Sequence, residues 1–170
     1  QTSEDAYSLQ MVSTVLSGGP SSRMYRRLVD EDQSALSVFA FPFSLEQGGA
    51  LMTFSLANAG KTINDMVPAL EEEIENLQNE LISEREFQKI QNQMESRFVQ
   101  SNSTMAGIAE SLADYHTYYG DANLINTELE RYRAVTREDI QRTAQKYLVK
   151  DNRVLLRYLP KSEEPTAEAE

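Results

Sequence analysis

The residues able to do chemistry in this chain are few and poorly spaced for it. His116 is the only histidine, and cysteine is absent. A catalytic zinc takes three protein ligands, and the nearby Asp114 supplies at most a second. The run Asp114-Tyr115-His116-Thr117-Tyr118-Tyr119 reads as a helical aromatic stretch in which a structural histidine is expected. Glu71, Glu72, Glu73 and Glu75 stand close together, but helical spacing turns most of them away from the apolar stripe of their segment, as a solvated face. The sequence therefore predicts neither catalytic residues nor a metal site of its own.

The segment Ser17-Gly18-Gly19-Pro20-Ser21-Ser22-Arg23-Met24-Tyr25-Arg26-Arg27-Leu28 carries the richest local signal. Ala6, Leu9, Val12, Val15 and Leu16 recur at helical spacing just before it. Two glycines and a proline then stop that helix, and Ser21 or Ser22 is placed to accept the free N–H groups of the next one. Arg23 and Tyr25 follow at the helix start, where a guanidinium and a phenol are donors suited to peptide carbonyls. The competing expectation pairs Arg23 with Asp30 or Glu31 and packs Tyr25 in the core.

The remaining elements follow from periodicity. Helices are expected over 5–16 and 22–29, and strands over 34–43 and 50–57, joined by hairpin chemistry at 44–49. The dense apolar runs of both strands predict that each sheet face is at least partly covered. Ile63, Met66, Val67, Leu70, Ile74, Leu77 and Leu81 form the clearest amphipathic stripe. Pro68 lies inside it, tolerable if the helix begins near Asn64 or Asp65 and a kink otherwise. Ser83 and Glu86 form a capping box for a helix with Phe87, Ile90, Met94 and Phe98 on its apolar face, broken at 100–104. A further stripe runs to a stop at Gly120, Asp121 caps a helix through Leu129, and Thr136 with Asp139 caps the helix holding Ile140, Ala144 and Tyr147. Residues 154–159 read as a last strand and 162–170 as an acidic, disordered tail. The fold class predicted is α+β, an antiparallel sheet with helices packed on it, as one domain over 1–161.

Composition narrows the class further. The 170 residues suffice for one buried core, and 27 acidic against 16 basic side chains give a net charge of −11. That charge repels nucleic acid, and no basic stripe offsets it. No apolar run approaches the length that crosses a bilayer. A chain opening directly on a core-facing helix is expected to be a piece of a longer protein. Lack of cysteine leaves cytoplasm and periplasm equally open.

Four blocks, in order, resemble the second, non-catalytic domain of the pitrilysin/insulinase family of zinc metallopeptidases, which includes the mitochondrial processing peptidases and the core proteins of the respiratory cytochrome bc complex. They are the glycine turn with Ser21-Ser22-Arg23-Met24-Tyr25; Val29 to Ala40 with Gln33 and Ala35, then Gly48-Gly49; Val135-Thr136-Arg137-Glu138-Asp139-Ile140 continuing to Lys146-Tyr147-Leu148; and Asn152-Arg153-Val154 with Leu159-Pro160. The family's His-x-x-Glu-His zinc signature is missing, so the chain alone is expected to be no peptidase. The resemblance implies one wall of a chamber that closes around unfolded peptide. The zinc would lie in the catalytic domain of the same chain or in a partner subunit, and the parent would be a zinc-dependent endopeptidase. It also implies a sheet lacking its first strand, which in the family precedes the glycine motif. Gly18, Gly19, Arg23 and Tyr25 are the candidate substrate-binding residues, because the processing peptidase's non-catalytic subunit carries a longer glycine-rich substrate loop at that place. The family's Arg/Tyr pair has no counterpart in 50–59, which holds neither residue type. An inactive structural homologue and a helical docking module remain open; the strand-forming 38–43 and 51–56 speak against the second.

Overall fold

Helix α1 (Asp5–Ser17) is the axis of the fold. The computed structural model describes residues 5–45 and 48–159. Six consecutive residues of α1, Met11 to Leu16, are buried, so this helix is covered on every side and not along one stripe alone. Strand β1 (Ala35–Ser44) and helices α4 (Glu84–Ser101) and α7 (Arg137–Tyr147) pack around it. Between α1 and β1 lie the short helix α2 (Arg23–Tyr25) and its π-helical continuation over Arg26–Glu31, whose Met24 and Leu28 enter the core.

Strand β2 (Gly49–Ala57) pairs antiparallel with β1, with Phe39 opposite Phe54 and Phe41 opposite Met52. Among the described residues these two strands are the whole sheet. The hairpin is closed by the Leu45 N–H to Gly48 carbonyl bond at 2.8 Å; Glu46 and Gln47 of the expected turn lie outside the described residues. Residues 153–159 correct the expectation of a last strand, because they make no ladder and stand exposed, Tyr158 at 99%. A strand is stabilised by a neighbour's N–H and C=O groups, and among the described residues no strand pairs with this segment. The predicted acidic tail at 162–170 lies outside the described residues.

Helix α3 (Ile63–Asn79) starts ahead of the expected Asn64 or Asp65. The Asp65 carboxylate accepts from the Thr62 N–H at 2.7 Å and the Thr62 hydroxyl at 2.8 Å, which fixes the helix start. Pro68 therefore sits past the first turn, and the Asn64 carbonyl loses its helical donor. The buried stripe ends at Leu77; Leu81 lies beyond the helix, and Ile82 takes the interior place instead. The acidic run on α3 is less solvated than its spacing suggested. Glu71 binds Arg153 at 2.8 Å, Glu75 binds Lys150 at 2.9 Å, and burial pushes the Glu73 carboxyl above its ordinary range.

After α4 the chain leaves the body as an arm. Helix α5 (Met105–Asp114), capped by Thr104, continues as a π turn over Tyr115–Tyr119 and stops at Gly120, whose φ is +75°. A 3-10 turn over Ala122–Asn126, capped by Asp121, and helix α6 (Glu128–Ala134) replace the single helix expected there. Helix α7 is capped by Thr136 and Asp139 as read from the sequence. It is tied to α1 through Asp5, whose buried carboxylate accepts from Lys146 at 2.6 Å, Arg142 at 2.7 Å and Tyr147 at 2.9 Å.

Candidate functional site

The glycine turn is built as its sequence demands. Helix α1 ends with the Gly18 N–H on the Thr14 carbonyl at 2.8 Å, and a side chain on Gly18 would collide with that carbonyl and the Thr14 methyl. Gly19 takes φ +124°, a region that side chains resist. The cap differs from the expectation: the Ser22 hydroxyl donates back to the Gly19 carbonyl at 2.6 Å and leaves the N–H groups of α2 without a side-chain cap. Helix α4 holds the far side of the turn, with Gln93 donating to the Gly18 carbonyl at 3.3 Å and Lys89 to the Ser21 carbonyl at 3.1 Å.

Arg23 is committed to the same helix. Its Nε and Nη2 donate to the two oxygens of Glu86 at 3.0 and 2.9 Å, with about a fifth of each side chain exposed. The partner is neither Asp30 nor Glu31; Arg26 and Arg27 lie against Glu31, and Arg27 against Asp32. Glu86 in turn does not reach back to Ser83, so only half of that capping box forms, the Ser83 hydroxyl accepting from the Glu86 N–H at 3.2 Å. Tyr25 is half-buried against the core. The structure thus brings Gly18, Arg23 and α4 together and leaves Gly19 at the bend.

One residue before the turn, Ser17 reaches the outer edge of β1. Its hydroxyl accepts from the Ala40 N–H and donates to the Ala40 carbonyl. Ala40 therefore points its backbone away from β2, as must Pro42 two residues on, which is where a residue without an N–H costs no ladder bond.

The largest feature is one the sequence reading missed. Val38 and Leu51 face α1 and α3, while Phe39, Phe41, Phe43, Met52, Phe54 and Leu56 share the opposite face and remain 37–60% exposed. Phe54 stacks between Phe39 at 5.3 Å and Phe41 at 6.0 Å. Neither strand carries a charged residue, in a chain of net charge −11. Six such half-exposed side chains present roughly 500 Å² of apolar surface, the scale at which patches on monomers tend to be functional. Among the described residues helices cover only one face; the other, expected to be at least partly covered, stays about half-exposed. The signal was the period-two order Phe-Ala-Phe-Pro-Phe, which puts every aromatic ring on one side.

No group of three or more His, Cys, Asp or Glu side chains able to hold a metal exists among the described residues, and His116 is exposed on the π turn.

The family model described as the Peptidase M16 inactive domain matches residues 1–94, slightly more than half of the chain. No curated protein matches the chain. Among solved structures, the inactive peptidase domain of an assigned zinc protease from Bordetella parapertussis is similar at 26% identity and a TM-score of 0.85, covering 99% of this chain and 89% of that one. An assigned zinc protease from Bordetella pertussis Tohama I is similar at 27% identity and a TM-score of 0.79, covering 94% and 87%. The periplasmic protease PqqL from Escherichia coli shares the fold at 15% identity and a TM-score of 0.65; 85% of this chain covers 16% of that protein.

Proposed function

The chain belongs to the family of M16 peptidase inactive domains, and from that premise we propose that it forms the zinc-free wall of a peptide-holding chamber. The open face of β1 and β2 would be turned inward against unfolded polypeptide. That uncharged aromatic face is the observation that carries the reading. Unfolded chains expose the apolar side chains that a folded partner hides, and flat aromatic rings bind them without demanding one sequence. Zinc and the general base would come from the catalytic domain of the same chain or of a partner subunit.

The glycine turn enters this reading as the rim. Ser17 fastens it to the outer edge of β1, so Gly18 and Gly19 would border the bound peptide. Arg23 would act indirectly, by fixing the turn on α4 through Glu86.

Fluorescence anisotropy of a labelled, unfolded apolar peptide tests the face. Phe41→Ser and Phe54→Ser should each weaken binding roughly tenfold, the loss expected when an aromatic anchor is removed. Met105→Ser, which removes an apolar side chain 86% exposed on α5, should leave binding unchanged. Equal affinities for all three variants, or no binding by the parent chain, would remove the basis for the proposal.

A further inference from the structure

The two edges of the hairpin are unlike. In its register Ala40 stands opposite Thr53 and Pro42 opposite Leu51. Ala40 turns its backbone outward to Ser17, so residues of this parity on β2 turn theirs outward too. Leu51, Thr53 and Ser55 therefore aim their N–H and C=O groups along the far edge of β2. Among the described residues no third strand pairs there, and these three make no backbone hydrogen bond outside the hairpin. Thr53 is exposed even though it points to the helix side. The β1 edge is blunted by the Ser17 hydroxyl and by Pro42, whereas β2 carries neither proline nor charge.

The chain also holds a strand-like segment without a sheet. Lys150 binds Glu75 at 2.9 Å and Arg153 binds Glu71 at 2.8 Å, which fixes the root of that segment on α3. Beyond the root, Val154, Leu156 and Tyr158 are 84, 87 and 99% exposed. A period of two puts these three on one side of an extended chain, and Leu155 and Arg157 on the other. The two sides of β2 match that order. One bears the aromatic row, and the other meets the acidic helix α3, where the Ser55 hydroxyl contacts Met66 Sδ at 3.1 Å.

We propose that a second copy of this chain covers the open edge. Residues 154–159 of one copy add as a strand to β2 of the other, and the exchange is reciprocal about a two-fold axis. The main chain supplies the pairing. Val154, Leu156 and Tyr158 extend the aromatic row, while Arg157 approaches the acidic α3. A chain of net charge −11 resists self-association over most of its surface, but here a cationic segment meets an uncharged strand. Each added strand buries roughly 400 Å² on either partner, so two bury about 1,600 Å², the size of a standard stable interface. The edge carries this inference, and it stands apart from the chamber reading.

Sedimentation velocity of the full chain from about 1 to about 100 µM should show the mass rising from monomer to dimer. Leu156→Asp alters a side chain that is exposed in the single copy. It should leave the melting temperature of the dilute chain unchanged and weaken the dimer at least about tenfold. Val99→Asp, at an exposed apolar side chain of α4, should leave the dimer intact. Because the chain has no cysteine, disulfide trapping locates the contact. Oxidised mixtures of Met52→Cys with Val154→Cys, Leu156→Cys or Tyr158→Cys should give mixed covalent dimers. The two readings fail separately: Phe41→Ser weakens peptide binding only under the chamber reading, and Leu156→Asp weakens the dimer only under this one. A monomer throughout that range, a dimer equally strong with Leu156→Asp, or a disulfide that closes only within a single chain carrying both cysteines overturns the exchange.

Discussion

Replacing Arg23 by Gln separates a structural from a substrate-binding role for the helix start that follows the glycine turn. The pair it removes consists of two charge-assisted hydrogen bonds to Glu86 at 3.0 and 2.9 Å, across 63 residues of sequence. Fully exposed ion pairs are worth about 0.2–1 kcal/mol, whereas breaking a buried one costs about 3–5 kcal/mol. With side chains 20% and 21% exposed, this pair lies between the limits, and Arg23→Gln should destabilise by about 2 kcal/mol. For a chain of this size that lowers the melting temperature by roughly 4–8 °C. Urea unfolding followed by circular dichroism, run as a double-mutant cycle with Glu86→Gln, isolates the interaction, and the coupling should be about 1–2 kcal/mol. Arg23→Lys should recover only part of it, because an ammonium cannot fork onto both oxygens. An unchanged urea midpoint together with zero coupling would refute this reasoning and return Arg23 to the list of free peptide ligands.

Two further outcomes follow from the core and from the α1–α7 tie. Hydrogen bonds from Lys146, Arg142 and Tyr147 hold the Asp5 carboxyl down at about 2, so its stabilisation is fully present above the ordinary carboxylate value and is lost as pH falls toward about 2. Asp5→Asn should therefore flatten the acid limb of the stability profile and cost about 1–2 kcal/mol at neutral pH, a figure reduced because Lys146 and Arg142 are half-exposed. Leu77→Ala, at a fully buried position of α3, should cost about 2–5 kcal/mol, while Glu72→Ala, whose pair with Arg27 is exposed, should change urea midpoints by less than about 0.5 kcal/mol equivalent. The reverse order would mean that the helix faces are assigned wrongly.

What could be read from the sequence is what is decided within a few residues. The Thr136–Asp139 cap, the Gly120 stop and the β1–β2 hairpin depend on neighbours in the chain, and each forms where its residues specify. The failures are relational. Glu86 abandons the local cap because an arginine 63 residues away offers two charged donors in place of one backbone N–H. Arg23 ignores Glu31 because Arg26 and Arg27 are already beside it. Residues 153–159 have strand composition, yet a strand exists only against another strand, and no periodicity of one segment supplies its neighbour.

The open face extends that distinction to function. The chain has six phenylalanines, four of which stand on one side of β1 and β2, and none of the six belongs to the buried core, which is built from Met, Leu, Ile, Val and Ala. Fully burying a phenylalanine stabilises a fold by about 1.5–3 kcal/mol, against total stabilities of about 5–15 kcal/mol. Leaving four about half-exposed thus forgoes about 3–6 kcal/mol, a sizeable fraction of such a total. Folding of this chain alone gives no reason for such an arrangement, since Val38 and Leu51 already anchor the sheet on its other side. A surface that meets apolar polypeptide does give one. The same face also accounts for the absence of charge on both strands, because a lone charge beside a desolvated aromatic row would weaken every contact made there.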